Sequence, residues 1–348
     1  MLRLGYNTAC RPIAGPTVMK STFGGDLTTR HILIGRNPLA KTPRNDPSSQ
    51  ELGGWVASVV AGDSSSEVAV LPWRLELVGK RPTLRQYVAE LWGRRRFIFL
   101  QARSRAFQST QGTILGPIWL VLNPFANSLV YWFVFGVLLH TSRGIPNFIA
   151  YLVVGFNFFT IFRSSLSDGP KIIRQSRNLA KAYSFPRVSL VFSWTIRTAL
   201  DFIPVLLATF VFVMLIPDPR VLPTWRWLLV IPATLLAFLF AFGLASITTA
   251  LTSLVPDLKF IWPLLGRLWF FTSGVFFGVN RFNSLPTIKT IVESNPGYVL
   301  LRINRDLIVY NVTPPASVWL YFALWAVCLA GIGFLFFWTV EDRYDLKG

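Results

Sequence analysis

Charged residues inside long apolar stretches are the first candidates for chemistry in this sequence. Arg197 and Asp201 stand four positions apart, so a helix places them on one face, where they predict an ion pair. Arg267 lies in another apolar stretch with no acidic residue near it in sequence. Ionisable groups are costly in apolar surroundings, so each is a functional candidate. We favour a structural role for the pair, while Arg267 either extends to an interface or faces a polar pathway.

A cationic strip and many aromatic rings are the other candidate recognition groups. Arg94, Arg95 and Arg96 are consecutive and predict binding of anionic groups, of which lipid headgroups are the simplest. Aromatic residues make up 15% of the chain, with 13 Trp and 30 Phe. Such rings stack on the C–H faces of sugars, but they also collect at membrane interfaces and in lipid-facing positions without any ligand.

Catalytic chemistry finds no support in the residue types. The sequence has two histidines, His31 and His140, and two cysteines, Cys10 in a polar stretch and Cys328 in an apolar one. These predict neither a His-rich metal site nor a disulfide framework. No phosphate-binding G-x-x-x-x-G-K-[ST] loop is present in the sequence, so we predict that this chain is not an enzyme and binds no cofactor of its own.

Composition indicates whether these residues lie in a water-soluble protein or in a membrane. The chain has 348 residues, of which 52% are hydrophobic and 14% charged, which is more apolar surface than a soluble domain hides. The net charge is +18, and 16 of the 34 Lys and Arg precede residue 113, ahead of the first long apolar run. That placement is typical of cytoplasmic flanks of a membrane protein. We therefore predict an all-α polytopic membrane protein without a nucleic-acid partner.

Three regions follow along the chain. Residues 1–71 are rich in Gly, Pro, Ser and Thr and predict a flexible cytoplasmic tail. Residues 72–112 predict an amphipathic interface segment, with a capping box of Thr83 and Gln86 before apolar residues at helical spacing. Residues 113–348 predict a transmembrane domain of six spans. The predicted spans are 113–139, 147–163, 188–216, 227–253, 260–280 and 316–340.

Charge in the connections predicts the orientation of the spans. The connection at 163–187 carries six basic residues against one acid, Asp168, whereas those at 140–146 and 217–226 are less basic. The positive-inside rule places the first on the cytoplasmic side and, with six spans, both termini there as well. The connection at 281–315 then faces outward. Its short apolar stretches around Asn295-Pro296-Gly297 predict an external re-entrant helix pair, with a surface amphipathic helix as the alternative.

Several segments together carry a family resemblance. The chain resembles the permeases of type-2 ABC exporters over roughly residues 72–348, and most of all those that export O-antigen, teichoic acid or mycobacterial galactan. Ser109-Thr110 departs from that pattern, because many relatives have an aromatic and a basic residue there. The segments that carry the resemblance are Leu91–Arg96, Gln111–Trp119, Leu122–Pro124, Pro256–Lys259 and Asn295–Gly297.

The resemblance implies a function and its partners. It implies a permease that exports a lipid-linked polysaccharide across the cytoplasmic membrane as a homodimer. Two copies of a separate ATPase chain would bind ATP and Mg and supply the energy. The alternatives are an ABC exporter of lipid or drug, an ion-coupled secondary transporter whose coupling group would be Asp201, and a membrane-embedded glycosyltransferase.

Candidate roles follow for four groups of residues. Two cytoplasmic segments, 170–185 and the turn at Pro256–Lys259, are candidates for contact with the ATPase, with solvated loops as the alternative. The basic strip would meet the pyrophosphate of the substrate or anionic lipid, and aromatic rings would line the channel. The coupling residues are Arg174, Arg177, Asn178, Lys181, Asp257 and Lys259, and the channel aromatics are Trp119, Tyr131, Trp132, Trp269, Phe270 and Phe271.

Overall fold

The coordinates are a computed structural model that describes residues 17–21, 30–36, 55–60, 83–108, 116–138, 145, 147–176, 186–216 and 221–341. The chain divides into two compact units, Met1–Lys80 and Arg81–Gly348. Three of the predicted coupling residues, Arg177, Asn178 and Lys181, lie outside the described residues.

The first unit contains a three-stranded antiparallel sheet. The strands are β1 (Thr17–Ser21), β2 (Arg30–Arg36) and β3 (Trp55–Val60), in the order β1-β2-β3. β2 and β3 are rich in the β-branched residues Ile and Val, which favour extended backbone. The sequence analysis missed these strands because they are short and separated by stretches rich in Gly, Pro and Ser. A flexible cytoplasmic tail over residues 1–71 remains a prediction.

Every regular element among the described residues of the second unit is a helix, which confirms the all-α class for the membrane part. Short non-α helical turns occupy Trp132–Leu138, Gly169–Lys171, Trp225–Leu229 and Val279–Phe282. The α-helices are α1 (Leu84–Gly93), α2 (Arg95–Gln108), α3 (Gly116–Tyr131), α4 (Phe148–Asp168), α5 (Ile172–Gln175), α6 (Val188–Leu215), α7 (Val230–Leu254), α8 (Leu258–Thr272), α9 (Pro286–Ser294), α10 (Pro296–Ile308) and α11 (Ala316–Val340).

Five helical stretches among the described residues are long and apolar enough to cross a membrane. They are Val121–Leu138, Phe148–Gln175, Val188–Leu215, Trp225–Leu254 and Ala316–Val340. Each agrees with a predicted span. The stretch that contains α4 is the most buried of the five, because 78% of its most apolar part is buried. Large rings such as Phe158, Phe159 and Phe162 are fully enclosed there.

The predicted span at 260–280 is shorter than expected, so the count of six spans is not confirmed. Its helix, α8, has 15 residues and is about 22 Å long, less than the roughly 30 Å of a bilayer core. The helix ends because the chain turns at Gly274, whose φ of 69° lies in the left-handed region. The Tyr151 hydroxyl holds this turn, because the carbonyls of Gly274, at 2.9 Å, and Phe277, at 2.7 Å, share its single proton.

The predicted interface segment forms two helices. The capping box is confirmed: the Thr83 N–H donates to Gln86 Oε1 at 3.1 Å, and the Gln86 N–H donates to Thr83 Oγ1 at 3.4 Å. α1 and α2 are separated at Arg94, just after Gly93. α2 packs on α6 through Ile98 and the fully buried Ala102. The apolar face of α1 remains partly exposed, as a surface helix in a membrane interface requires.

Residues 286–308 form a pair of short helices, α9 and α10, with a break at Asn295. The Asn295 side chain caps α10 by accepting from the Gly297 N–H at 2.9 Å, and it also accepts from Trp269 Nε1 at 2.7 Å. α10 is enclosed by other helices along most of its length, with Leu300, Leu301 and Ile303 fully buried. The burial of α10 disagrees with the alternative of a surface amphipathic helix. The external re-entrant position of the pair remains a prediction.

One arginine ties α10 to its neighbours. Arg305 is 2% exposed and donates to three carbonyls, those of Tyr151 at 3.2 Å, Gly274 at 3.0 Å and Val275 at 3.1 Å. Its guanidinium also lies 3.4 Å from the centre of the Tyr151 ring. Gly155 makes this approach possible, because a Cβ there would overlap Arg305 Nη2. A single buried cation therefore connects α10, α4 and the turn that ends α8.

Candidate transport and coupling sites

The predicted ion pair is present on α6. Arg197 Nε lies 3.5 Å from Asp201 Oδ2, and both side chains are partly buried. Arg105 on α2 approaches the same region, since its Nη2 donates to Ser176 Oγ at 3.0 Å. Burial lowers the pKa of Arg105, and the positive charge of Arg197 lowers it further. Two cations and one carboxylate thus occupy the junction of the interface helix with α6, and the functional role of the pair remains a prediction.

A cavity of about 400 Å³ opens between α3, α4 and α6. Trp119 and Arg163 lie at the end where α3 begins and α4 ends, while Asn127 and Asn157 lie farther along. Its accessible lining is mainly apolar, with polar side chains among the lining residues. Among its lining residues, those with polar side chains include Asn123, Asn127, Asn157, Thr160, Ser164 and Asp201.

The predicted channel aromatics separate into different environments. Tyr131 and Phe270 pack together with a centroid distance of 5.8 Å, and Phe276 joins them at 5.1 Å from Tyr131. Trp269 packs instead against Phe162 in a stacked arrangement at 5.4 Å. These rings contribute to the core. Trp132, after α3, also packs against this core, whereas Trp119 beside the cavity and Phe271 on α8 are exposed.

The predicted basic strip lies at the break between α1 and α2. Arg94 forms an ion pair with Glu90 at 3.2 Å, and Arg95 lies over the Trp92 ring at 5.4 Å. Arg96 is exposed on the first turn of α2. The strip is therefore accessible to anionic groups, and its role in headgroup or substrate binding remains a prediction. Arg267 is exposed on α8, and neither of its two predicted positions is favoured by the contacts.

Both candidate coupling segments are attached to the last turns of α7. The first follows α4: Thr249 Oγ1 donates to the Gly169 carbonyl at 2.7 Å, and a Cβ at Gly169 would overlap the Thr248 hydroxyl. The second is the α7–α8 turn, where Trp262 Nε1 donates to Thr252 Oγ1 at 2.9 Å. Residues next to both predicted segments are therefore bonded to the same helix.

The described charged groups of the predicted coupling set are exposed. Arg174 on α5 is exposed, whereas its neighbours Ile172 and Ser176 are buried against the protein. Asp257 and Lys259 are exposed at the α7–α8 turn, and Lys259 Nζ lies 4.7 Å from the centre of the Phe260 ring. Contact of these groups with an ATPase remains a prediction.

A junction that the sequence analysis missed connects the interface helix to the end of the chain. The Tyr87 hydroxyl on α1 donates to the Glu341 carboxylate just after α11, although the two residues are 254 positions apart. The other oxygen of Glu341 accepts from the Arg187 N–H at 2.6 Å, at the start of α6. No local pattern signals this contact. It fixes α1 to the start of α6 and to the end of α11.

The spanning helices, the cavity among them and the exposed charged segments at their ends define a polytopic helical membrane protein of the transporter type. A family model for the ABC-2 type transporter matches residues 97–309, so this chain belongs to the ABC-2 type transporter family. The predicted resemblance to type-2 ABC permeases is thereby confirmed. The match includes α3 to α10 and ends before α11.

Two curated relatives are similar over more than half of the chain. The chain is 26% identical over 237 residues to the O-antigen export system permease protein RfbA of Myxococcus xanthus, which covers 68% of this chain and 86% of that protein. It is 25% identical over 201 residues to the O-antigen export system permease protein RfbA of Klebsiella pneumoniae, with 57% of this chain and 74% of that protein covered.

Proposed function

We propose that this chain is the transmembrane permease subunit of an ABC exporter that moves a lipid-linked polysaccharide across the cytoplasmic membrane. The observation that carries the proposal is the family match together with the likeness to two permeases of O-antigen export. The chain is a transport component, and a separate ATPase chain hydrolyses ATP with Mg. Two copies of the permease and two of the ATPase form the working assembly, with both permease termini in the cytoplasm.

This orientation requires an even number of membrane crossings. Five helical stretches are long enough to cross, so one more crossing is needed. We assign it to α8 together with the residues between α8 and α9, since α8 alone is about 22 Å long. The buried α10 then returns from the outer side without crossing, and α11 completes the even count. The basic residues of 163–187 and the interface helix lie on the cytoplasmic side in this arrangement.

The energy source separates this proposal from an ion-coupled carrier. Inverted membrane vesicles that contain the chain and its ATPase should move lipid-linked glycan into their lumen, where added glycosidase cannot reach it. We expect this protection to require ATP and to persist when a protonophore removes the proton gradient. Vesicles that carry an ATPase without its catalytic base serve as the control. Transport that stops with the protonophore and ignores ATP would contradict the proposal in favour of a carrier coupled through Asp201.

The first coupling segment provides a second test. We expect the double variant Arg174→Glu, Arg177→Glu to lose co-purification with the ATPase. The introduced carboxylates would repel an acidic surface on the ATPase that the two arginines attract. Membrane insertion and thermal stability should stay unchanged, since Arg174 is exposed on a short helix whose apolar side holds it in place. Pull-down of the ATPase with affinity-tagged permease measures the effect.

Lys289→Glu is the matched control for this experiment. Lys289 is partly exposed on α9, at the predicted outer side, where its Nζ donates to Asn283 Oδ1 at 3.1 Å, and reversal of its charge should leave ATPase binding unchanged. Equal retention of the ATPase by the double variant and by Lys289→Glu would show that residues 170–185 are a solvated loop.

A further inference from the structure

The cavity between α3, α4 and α6 has a wall of apolar side chains. Its apolar lining includes Phe156 of α4, Pro124 of α3, and Phe202 and Val205 of α6. The volume of about 400 Å³ falls within the range of pockets that hold small molecules, about 300–1,000 Å³. The three helices belong to membrane-spanning stretches, so the apolar molecules that surround them are lipid tails. A hydrocarbon chain therefore fits this part of the cavity.

One end of the cavity lies at the boundary of the apolar region. Arg163 precedes Asp168, the last residue of α4, by roughly 7 Å along the helix axis. Trp119 lies in the first turn of α3, at the same end. Trp is enriched at membrane interfaces, and Arg side chains near helix ends extend their charge to the lipid headgroups. From this end the lining continues along α3 to Asn127, about 12 Å beyond Trp119.

The charges that line the cavity leave one positive charge unbalanced. Asp201 is a lining residue, but its Oδ2 lies 3.5 Å from Arg197 Nε, so this pair is neutral as a whole. Arg163 is exposed and forms no ion pair within the described residues. The exposed amide of Asn123, which also lines the cavity, is a second donor on the α3 side. A cation and an amide donor beside an apolar wall favour an amphiphile with an anionic head.

The burial of α3 shows what such an amphiphile would stabilise. In the stretch Val121–Leu138, 11% of the most apolar part is buried, compared with 78% for the stretch that contains α4. Ile118 and Leu122 are among its exposed apolar side chains. α3 therefore has few apolar contacts with the rest of the chain. A lipid tail seated between α3, α4 and α6 would supply contacts that the chain alone does not provide.

We propose that the α3–α4–α6 cavity binds an anionic phospholipid of the membrane. The phosphate accepts hydrogen bonds from the Arg163 guanidinium, and one acyl chain packs along Phe156, Phe202 and Val205. Basic pockets between spanning helices bind anionic headgroups in this way. A neutral lipid would leave Arg163 without a counter-charge, and a zwitterionic headgroup would bring a second cation toward it. The site is argued from the side chains of this chain and does not depend on the export function.

Photolabelling tests the proposal on the full chain in a neutral detergent. The probe is phosphatidylglycerol with a diazirine in one acyl chain, added below saturation, and the comparison probes are phosphatidylcholine and diacylglycerol with the same chains. Phosphatidylglycerol should label peptides of α3, α4 and α6 about fivefold more than either comparison probe, because its headgroup alone is a net anion. Unlabelled phosphatidylglycerol should compete. The labelled positions should lie near Asn127 and Val205, since the reactive group is in the tail.

A charge series at Arg163 localises the headgroup. Arg163→Gln should lower the competed labelling about tenfold, because hydrogen bonds with a charged partner are the stronger ones. Arg163→Lys should fall between Arg163→Gln and the unsubstituted protein, since an ammonium keeps the charge but lacks the fork of donors. Arg267→Gln is the matched control, because Arg267 is also exposed but lies on α8 and outside the cavity lining.

Thermal unfolding provides a second measurement. A ligand that binds only the folded state raises the unfolding midpoint, so added phosphatidylglycerol should stabilise the unsubstituted protein and Arg267→Gln. Arg163→Gln should lose this shift. Its own midpoint without added lipid should stay close to that of the unsubstituted protein, because an exposed side chain is replaced.

Each other outcome overturns the site. Equal labelling by the three probes would indicate unselective contact with lipid tails, and labelling unchanged in Arg163→Gln would place the headgroup elsewhere. Absent labelling would mean that water or a second copy of the chain occupies the cavity. Stronger competition by polyprenyl phosphate than by phosphatidylglycerol would assign the cavity to a lipid carrier. The vesicle assay for ATP-dependent export is independent of all these results, so the site and the export function can fail separately.

Discussion

Arg305→Met is expected to destabilise the protein by about 3 kcal/mol or more. The guanidinium is 2% exposed and satisfies three carbonyls that belong to α4 and to the turn after α8. Hydrogen bonds with one charged partner contribute roughly 1.5–3 kcal/mol each, and buried carbonyls without a partner add a desolvation penalty. Methionine fills part of the space but donates no hydrogen bond, so α10 loses its polar anchor.

Thermal unfolding of the detergent-solubilised variants, followed by tryptophan fluorescence, measures this loss. Arg302→Met is the matched control on the same helix, because Arg302 is exposed and lies 3.8 Å from Asp306, a pair expected to contribute about 1 kcal/mol or less. Arg305→Lys should fall between the two, since one ammonium nitrogen does not reach three carbonyls in separate directions. A midpoint for Arg305→Met equal to that of Arg302→Met would contradict the anchoring role.

Gly155 offers an independent route to the same contact. A Cβ at this position would overlap Arg305 Nη2, and the guanidinium has carbonyl partners on both sides of it. Gly155→Ala should therefore displace the arginine and lower stability in the same direction as Arg305→Met. If the effects of Gly155→Ala and Arg305→Met add fully in the double variant, the two residues do not act through one contact.

The spans could be predicted because hydropathy is a property of many consecutive residues. An apolar run of about 20 residues has no favourable alternative to a bilayer, and five of the six predicted runs overlap the long apolar helices. The largest difference is at the span predicted to end at residue 163, since the helical stretch continues to Gln175. The end of α8 could not be predicted in this way. It depends on Gly274, whose carbonyl accepts from the side chains of Tyr151 and Arg305. These residues are 123 and 31 positions away in sequence.

The candidate sites also differ in whether they depend on local sequence spacing or on contacts between distant elements. The pair of Arg197 and Asp201 follows from helical spacing alone, and the structure has it at 3.5 Å. The cavity does not follow from any spacing, because it exists only where α3, α4 and α6 leave space between them. The environment of each aromatic residue could not be predicted either, because rings of the same type occur both in the core and at the surface. Phe270 in the core and Phe271 at the surface are neighbours of similar chemistry in one apolar run.

Gly243→Ala is expected to weaken the packing of α11 on α7 and to destabilise the protein by about 2 kcal/mol. A Cβ on Gly243 would lie 2.6 Å from the Ala330 backbone nitrogen and would also overlap the Leu329 carbonyl. The neighbours are backbone atoms, which cannot rotate aside as a side chain does. Overpacking costs about 1–3 kcal/mol or more, and here the only relief is separation of the two helices. The higher helix propensity of alanine, about 1 kcal/mol, offsets part of this cost.

Two glycines on the partner helix α11 complete the test, because they lie on the same helix in different surroundings. A Cβ on Gly333 would lie 2.9 Å from the Gly243 Cα, whereas a Cβ on Gly331 would meet nothing within 4 Å. Gly333→Ala should therefore lower the unfolding midpoint as Gly243→Ala does, and Gly331→Ala should leave it unchanged or raise it slightly. Small residues let spanning helices approach closely where water provides no driving force between them. Equal midpoints for all three variants would mean that α11 is held by its large side chains, such as Phe322 and Phe337, and that the close backbone contact contributes nothing.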